Sequence, residues 1–471
     1  MTARPAPSPT LRGHHLVPRL VALVLFMQFL DGTIIATSLP AIARDFGTDP
    51  VGMGVGVTAY LLALAAVVPA AGWLGGRWGA RTILVGSIAI FTLSSLACAL
   101  APNLGAFVAA RVLQGAAAAL MAPVGRLLVL AHVPRSELMG AIATITWPAL
   151  LAPVAGPVVG AVITEHAGWE WNFLVNLPLG LGAMALVLRL VPDQPTGTPA
   201  PFDGRGFAFC SLGLLGLLGG LELFVNGSRR GLAAGGLLAG LMLLILAARH
   251  LRRARTPLLD LSVLAVPSFR LATMTAGTLG RTAINSAPFL LPLLFQVGFG
   301  LSALEAGQAL LVYFLGNLLM KSLTTPVLRR FGFRPVVVVN GLLAALGVGV
   351  FAAVPADIPL LGLWTLLFVA GAARSLQFTA LNTLAFAEIG PDQRAASTTL
   401  SAMTQQVAQV LGVALAVALI RTGQAWHGGS DASLPQIRIA FAGMGVIGLA
   451  SALGFLRLAP GTGREVAGRS D

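Results

Sequence analysis

Apolar residues run along this chain in long blocks, and the polar positions gather between the blocks rather than alternating with them. A helix crossing ~30 Å of hydrocarbon needs roughly 20 such residues. About fourteen blocks qualify, near 20–40, 52–72, 83–101, 106–131, 138–163, 173–191, 204–225, 231–249, 271–297, 303–328, 335–353, 359–384, 396–420 and 437–457. Glycine and proline recur inside them without a period of two. That pattern predicts membrane-spanning helices and argues against a porin-type barrel.

One block is interrupted at its centre. In "FMQFLDGTIIATSLP", Phe26 to Pro40, Asp31 stands where a carboxylate costs about 2.5–3.5 kcal/mol on insertion scales, so it is expected to face a cavity or a partner rather than lipid. Helical spacing joins it to Gln28, Ile35 and Ser38 in a partly polar stripe. Arg111 and Arg126 lie 15 residues apart in one block, within about 60° of each other at ~100° per residue, so both can face the same cavity. Snorkelling toward the headgroups is the competing reading for Arg126. Arg281, Lys321 and Arg374 also fall within blocks, and Gln114 and Gln377 join them as candidates for a cavity wall. A central acid facing a cation is what proton exchange requires. The structural alternative is a static ion pair that fixes helix packing.

Composition agrees with the block pattern: 56% of the 471 residues are hydrophobic and 10% charged, with a mean hydropathy of +0.86. The net charge of +13 does not point to nucleic acid, because the basic residues sort by side of the membrane instead of forming a soluble patch. With the N-terminus inside, the inner segments hold 19 of the 30 Lys and Arg, the outer segments 5 and the blocks themselves 6. This asymmetry places both termini in the cytoplasm of a multi-pass inner-membrane protein.

Several chemistries fall away. Cys98 and Cys210 sit in different blocks and the six histidines form no H-x-x-x-H pair, so no metal is expected. "GNLLMKS" lacks the second glycine of a phosphate-binding loop, and "GMGVIG" lies inside the last block, where small residues serve helix packing. "SLPAIA" follows a run too long, and too acidic at Asp31, for a signal peptide. No nucleophile, base and orienter cluster together, so an enzyme is not expected. Glu222 reads as a solvated or lipid-interface residue, and Trp169, Glu170 and Trp171 as interface anchors.

An internal repeat carries more. "LGGRWGARTILVG" and "VLRRFGFRPVVVV" share a basic residue, an aromatic, Gly, any residue, then Arg, so that Gly79 corresponds to Gly332. Two homologous halves are the repeat construction of secondary transporters. Six, two and six helices then organise the chain as a tail 1–19, a first half 20–191, a linker with two inserted helices 192–250, a basic loop 251–270, a second half 271–457 and a tail 458–471.

In their order and spacing, several segments resemble the fourteen-span drug:proton antiporter family of the major facilitator superfamily. "LDGTIIATSLP" resembles its first-helix motif, "GWLGGRWGARTIL" its loop motif (Gly72, Arg77, Gly79, Arg81), and "RVLQGAAAALMAP" its fourth-helix motif (Arg111, Gln114, Gly115). "APVAGPVVGAVI" resembles its antiporter motif (Gly156, Pro157, Gly160), followed by the characteristic "GWEWNFLVNLPLG". "APVGRLLVLAHVPR", "NGSRRGL" and "FTALNTL" place the chain near one bacterial branch. The loop motif usually has an acid where this chain has Gly76, which puts in doubt the latch that acid forms in the family. The resemblance implies an all-α major facilitator fold and a monomeric, cofactor-free exporter of small molecules, multidrug compounds included. Protons would enter through Asp31 and Arg111. Excess cations over acids within the blocks raise a second expectation, an anionic substrate such as a carboxylate or a metal–carboxylate chelate. A proton-coupled importer is the nearest rival.

Overall fold

Apolar blocks without alternation fold as helices, and in the computed structural model no strand occurs among the described residues, which are 15–47, 50–192, 201–225, 230–301, 303–427, 433–464 and 466. The first set comprises α1 (Leu16–Asp45), α2 (Pro50–Val67), α3 (Ala71–Trp78), α4 (Ala80–Ala99), α5 (Leu104–His132), α6 (Leu138–Thr146), α7 (Pro148–His166), α8 (Trp171–Leu174) and α9 (Asn176–Leu190). Two further helices follow, α10 (Gly204–Val225) and α11 (Arg230–Arg253). The second set comprises α12 (Pro267–Thr273), α13 (Ala276–Leu293), α14 (Ala303–Phe331), α15 (Phe333–Gly349), α16 (Leu360–Phe386), α17 (Arg394–His427) and α18 (Leu434–Gly454). The N-terminal tail up to residue 14 lies outside the described residues.

Twelve helices among the described residues are long and apolar enough to cross a membrane, against the fourteen read from the sequence. The two remaining blocks are also helical, each with a break in it. Block 138–163 is divided between α6 and α7 at Trp147, just before Pro148, whose ring cannot continue the hydrogen-bond ladder. Block 271–297 becomes the short α12, then α13 with Pro288 and Pro292 inside it, then a π turn at Leu294–Gly298; Arg281 and Asn285 also dilute its apolar character.

The repeat seen in the loop motif extends through the packing. Gly79 and Gly332 both hold positive φ, 83° and 80°, a conformation that costs other residues strain and that turns the chain sharply between consecutive helices. The arginine two positions on caps the last helix of its own set: Arg81 donates to Leu188 O at 2.5 Å and Arg334 to Leu456 O at 3.2 Å. Tyr60 and Tyr313, the two tyrosines of the chain, are separated by the same interval as Gly79 and Gly332. Each lies at an equivalent crossing. A Cβ at Gly115 would meet Tyr60 O at 2.2 Å, and one at Gly371 would meet Tyr313 O at 1.9 Å, so α5 and α16 can approach α2 and α14 only without side chains there.

The inserted pair packs through small residues, with Gly216 against Gly236 and Gly240. Asp203 secures one end: its carboxylate accepts from Gly206 N, His250 Nε2 and Leu258 N at 2.8, 2.9 and 3.2 Å. Burial pushes this carboxyl up, but those hydrogen bonds outweigh it and hold the group below its ordinary range. A depressed acid stabilises the fold above about pH 4 and loses that contribution as pH falls further. Along its length α10 lies between α2 and α17, with Ser211 donating to Ala66 O at 2.6 Å and Arg421 to Phe224 O at 2.9 Å. Glu222, half-buried, accepts from Thr58 on α2 at 2.9 Å. Trp169 is no interface anchor, being 6% exposed and packed edge-on against Phe46, Phe107 and Phe173.

The close crossings give a direct test. Gly115→Ala and Gly371→Ala should each destabilise the protein by about 1–3 kcal/mol, the usual penalty for forcing a methyl into a filled crossing. Gly76→Ala, with nothing within 4 Å of its Cβ position, should leave thermal unfolding in detergent unchanged or raise it slightly. Equal melting of all three would contradict the packing described.

Candidate functional site

Asp31 sits midway along α1 and is 1% exposed; Arg111, near the first turns of α5, is 0% exposed. Arg111 Nη1 donates to Asp31 Oδ2 at 2.8 Å. The other carboxylate oxygen, Oδ1, accepts from Gln114 Nε2 at 2.9 Å and Asn176 Nδ2 at 2.8 Å. Every one of these partners is a donor, so the site fits an ionised carboxylate, which only accepts.

The guanidinium is held from several sides. Nη1 also donates to Gln114 Oε1 at 2.6 Å, and Nε to Gly56 O at 3.4 Å. Its carbon lies 4.4 Å from the Tyr60 ring centroid and 5.8 Å from that of Phe173. Ser95 Oγ accepts from Asn176 Nδ2 at 2.9 Å and Gln114 Nε2 at 3.3 Å while donating to Phe173 O at 2.9 Å. Four helices thus converge: α1 brings the acid, α5 the cation and an amide, α9 a second amide and α4 the hydroxyl. Gln28 is buried beside Tyr60 with its Oε1 unpartnered.

The other candidates divide. Arg126 of α5 reaches across to the second set and donates to Gln405 Oε1 of α17 at 3.0 Å. Lys321 of α14 donates to Thr379 Oγ1 of α16 at 2.6 Å and, across the sets, to Thr146 Oγ1 of α6 at 2.8 Å. Arg281 of α13 donates to Ala272 O at 2.5 Å and Asn382 Oδ1 at 3.3 Å. Arg374 of α16 is half-buried with its Nε unpartnered. Gln377 does not join them. It turns toward α15, donating to Val337 O at 3.2 Å and accepting from Asn340 Nδ2 at 3.1 Å, and so fixes helix packing.

The conformational motifs lie at contacts. At Gly72 a Cβ would meet Ala395 O and Thr399 Oγ1 of α17, both at 2.7 Å. Arg135 donates to Ile389 O of the second set at 3.3 Å. The sets are therefore in contact at the end that carries the Gly79 and Gly332 turns, and Gly76, exposed, takes no part in that contact. Arg77 stacks over Trp73 at 5.6 Å. Gly156 lets α7 approach Thr33 of α1, whose hydroxyl donates to Ala152 O at 3.0 Å. Gly160 O accepts from Asn172 Nδ2 at 3.4 Å, and the side chain of Pro157 lies outside the described residues.

Sequence reasoning missed Asn176, Ser95 and Tyr60. Asn176 had a signal: "WNFLVN" spaces Asn172 and Asn176 four apart, on one helical face. Tyr60 had another, its repeat partner Tyr313. Ser95 had none, since hydroxyls are common in such helices.

Comparison with known proteins follows the same lines. The model of the Major Facilitator Superfamily matches residues 21–413 and 273–471. "Putative multidrug resistance protein MdtD" of Salmonella paratyphi B is 36% identical over 429 residues, covering 88% of each chain, and its counterpart in Salmonella typhimurium is similar to the same extent. Among solved structures, the proton:xylose symporter XylE superposes with a TM-score of 0.67 at 15% identity, covering 96% of this chain and 98% of its own. The human organic anion transporter MFSD10 does so at 0.67 and 16%, covering 95% and 100%. At these identities the two structures speak for the fold alone.

The buried pair predicts non-additive mutations. Arg111→Leu should cost about 3–5 kcal/mol by stranding Asp31, and Asp31→Asn combined with Arg111→Leu should cost less than the two single changes summed. Thermal unfolding of the four proteins measures the coupling; strict additivity would dissolve the pair.

Proposed function

The chain belongs to the Major Facilitator Superfamily, and we propose that it is a proton-coupled exporter of small molecules across the inner membrane, with both termini in the cytoplasm. It is a multi-pass membrane transporter rather than an enzyme. The observation that carries the proton coupling is the donor-only shell of Asp31. Protonation removes the charge that Arg111 neutralises and puts an O–H where Gln114, Asn176 or Arg111 now donates. The neutral acid holds these donors more weakly, and its O–H requires an acceptor of its own, so the balance of contacts among α1, α5 and α9 shifts. Loading a proton thereby biases these helices toward a second arrangement, and releasing it restores the first.

In this reading the energy source is the proton gradient, with no cofactor, and one chain is the working unit. Protons enter from outside through Asp31 while a substrate leaves as the two helical sets rock about the interface bridged by Arg126 and Lys321. The contact of Gly72 and Arg135 with α17 and Ile389 would close the cytoplasmic end during that cycle, in place of the motif acid replaced by Gly76. Export of toxic compounds follows the name borne by the relatives. Antiport is preferred over import because "APVAGPVVGAVI" resembles the antiporter motif and Gly156 supplies the α1–α7 contact next to the proton site.

Asp31→Asn tests the coupling, since the amide keeps the shape and removes titration. In proteoliposomes the variant should lose pH-gradient-driven transport by at least tenfold while retaining substrate-for-substrate exchange. Gradient-driven transport at the wild-type rate would overturn the assignment.

A further inference from the structure

The inserted pair stands outside the two repeated sets, and neither the proton site nor the bridges between the sets draw on its charged end. Arg205 lies in the first turn of α10, Arg249, Arg252 and Arg253 lie in the last turns of α11, and Arg255 follows; all five are exposed. Antiparallel packing brings the two helix ends together. Asp203, just before α10, accepts from His250 of α11 at 2.9 Å, and a Cβ at Gly206 would lie 3.1 Å from Leu251 Cδ2. Among the described residues no ion pair reaches any of the five arginines. The described acids nearest in sequence are already engaged, Asp203 by Gly206, His250 and Leu258, and Asp260 by Ser262.

The arginines of α11 continue an apolar stripe. Leu238, Leu241, Met242 and Ile245 are 69%, 53%, 62% and 47% exposed. At ~100° per residue they and Arg249, Arg252 and Arg253 all fall within about 60° of one line along the helix. In a membrane-spanning helix such an exposed apolar stripe faces acyl chains. Aromatic rings mark the level where the stripe gives way to charge: Phe202 lies 4.8 Å from Trp73, and Trp73 lies 5.7 Å from Trp78, beside the Gly79 turn. Phe202 and Trp78 are 44% and 51% exposed, as rings at a bilayer interface are.

Apolar stripe, aromatic collar and cation cluster follow the order of a phospholipid's acyl chain, glycerol and phosphate. Topology alone calls for positive charge at this end, but not for five exposed arginines converging on one helix pair in line with a lipid-facing stripe. We propose that this end of the inserted pair is a binding site for anionic phospholipid. Arg205, Arg249, Arg252 and Arg253 hold the headgroup phosphate, which guanidinium forks grip two oxygens at a time, and the acyl chains lie along Leu238 to Ile245. Because α10 touches the first set through Ser211 and the second through Arg421, a lipid held here ties the seam between the sets to the bilayer.

Equilibrium binding of a fluorescent phosphatidylglycerol to the purified full-length protein in neutral detergent tests this without substrate or proton gradient. Unlabelled phosphatidylglycerol and cardiolipin should displace the probe at concentrations at least tenfold below that needed with phosphatidylcholine, and inorganic phosphate at matched ionic strength should not displace it. Combining Arg249→Gln, Arg252→Gln and Arg253→Gln should weaken the probe at least tenfold with an unchanged melting temperature in phosphatidylcholine. Arg205→Gln alone, on the other helix, should weaken it at least twofold. The matching control combines Arg19→Gln, Arg270→Gln and Arg457→Gln, three exposed arginines elsewhere on the chain, and should bind like wild type. Equal losses in the two triple variants would reduce the site to diffuse charge attraction and overturn the proposal. So would phosphatidylcholine competing as well as phosphatidylglycerol, displacement by inorganic phosphate, or wild-type binding by the α11 triple variant.

Discussion

A carboxylate and a guanidinium buried together give up hydration worth several kcal/mol per ion, and their mutual attraction offsets this only when the remaining lone pairs and protons are also satisfied. Around Asp31 and Arg111 the first helical set is arranged to meet that condition. Gln114 and Asn176 occupy the second carboxylate oxygen, Gly56 O and the Tyr60 ring receive the guanidinium, and Ser95 orients both amides. The helix crossings bring these groups together. Gly115, a turn beyond Arg111, must lack a side chain for α5 to come within reach of Tyr60 and Gly56, and Gly156 brings α7 onto α1 beside the acid. The charged pair thus sits where α1, α2, α4, α5 and α9 meet.

The second set repeats the framework without the pair. Tyr313 and Gly371 reproduce the crossing of Tyr60 and Gly115, and Arg334 reproduces the cap of Arg81, yet no acid faces Arg281 or Arg374 among the described residues. The division is physical: one set holds a buried, balanced charge pair, and the other carries Arg281, Lys321 and Arg374 with no acid paired to them among the described residues. The bridges from Arg126 to Gln405 and from Lys321 to Thr146 join the two sets, the first from α5, the helix that also carries Arg111, and the second at α6.

The helical architecture was legible because block length and the lack of alternation respond to the bilayer directly, whatever the tertiary detail. The breaks within blocks were less so: a proline at Pro148 and the polar content of α13 interrupt or dilute helices whose apolar look is continuous. The pairing of Asp31 with Arg111 was legible because buried charge is costly and helical spacing is regular; Gln114, expected on a cavity wall, is instead buried between them. Gln377 misled for the opposite reason. An uncharged amide in a helix can satisfy itself against a neighbouring backbone, and only the fold reveals that it turns to Val337. Trp169 was misplaced because the sequence does not say which residues of a loop meet the cluster of Phe46, Phe107 and Phe173.

The account turns on Asp31 changing protonation state inside this shell of donors. Infrared difference spectroscopy between alkaline and acidic membranes observes that event directly, through the carbonyl band that a carboxylic acid has and a carboxylate lacks. Wild-type protein should gain such a band on acidification over the pH range in which transport operates, and Asp31→Asn should lack it. An identical band in both proteins, or no protonation of Asp31 anywhere in that range, would contradict the account.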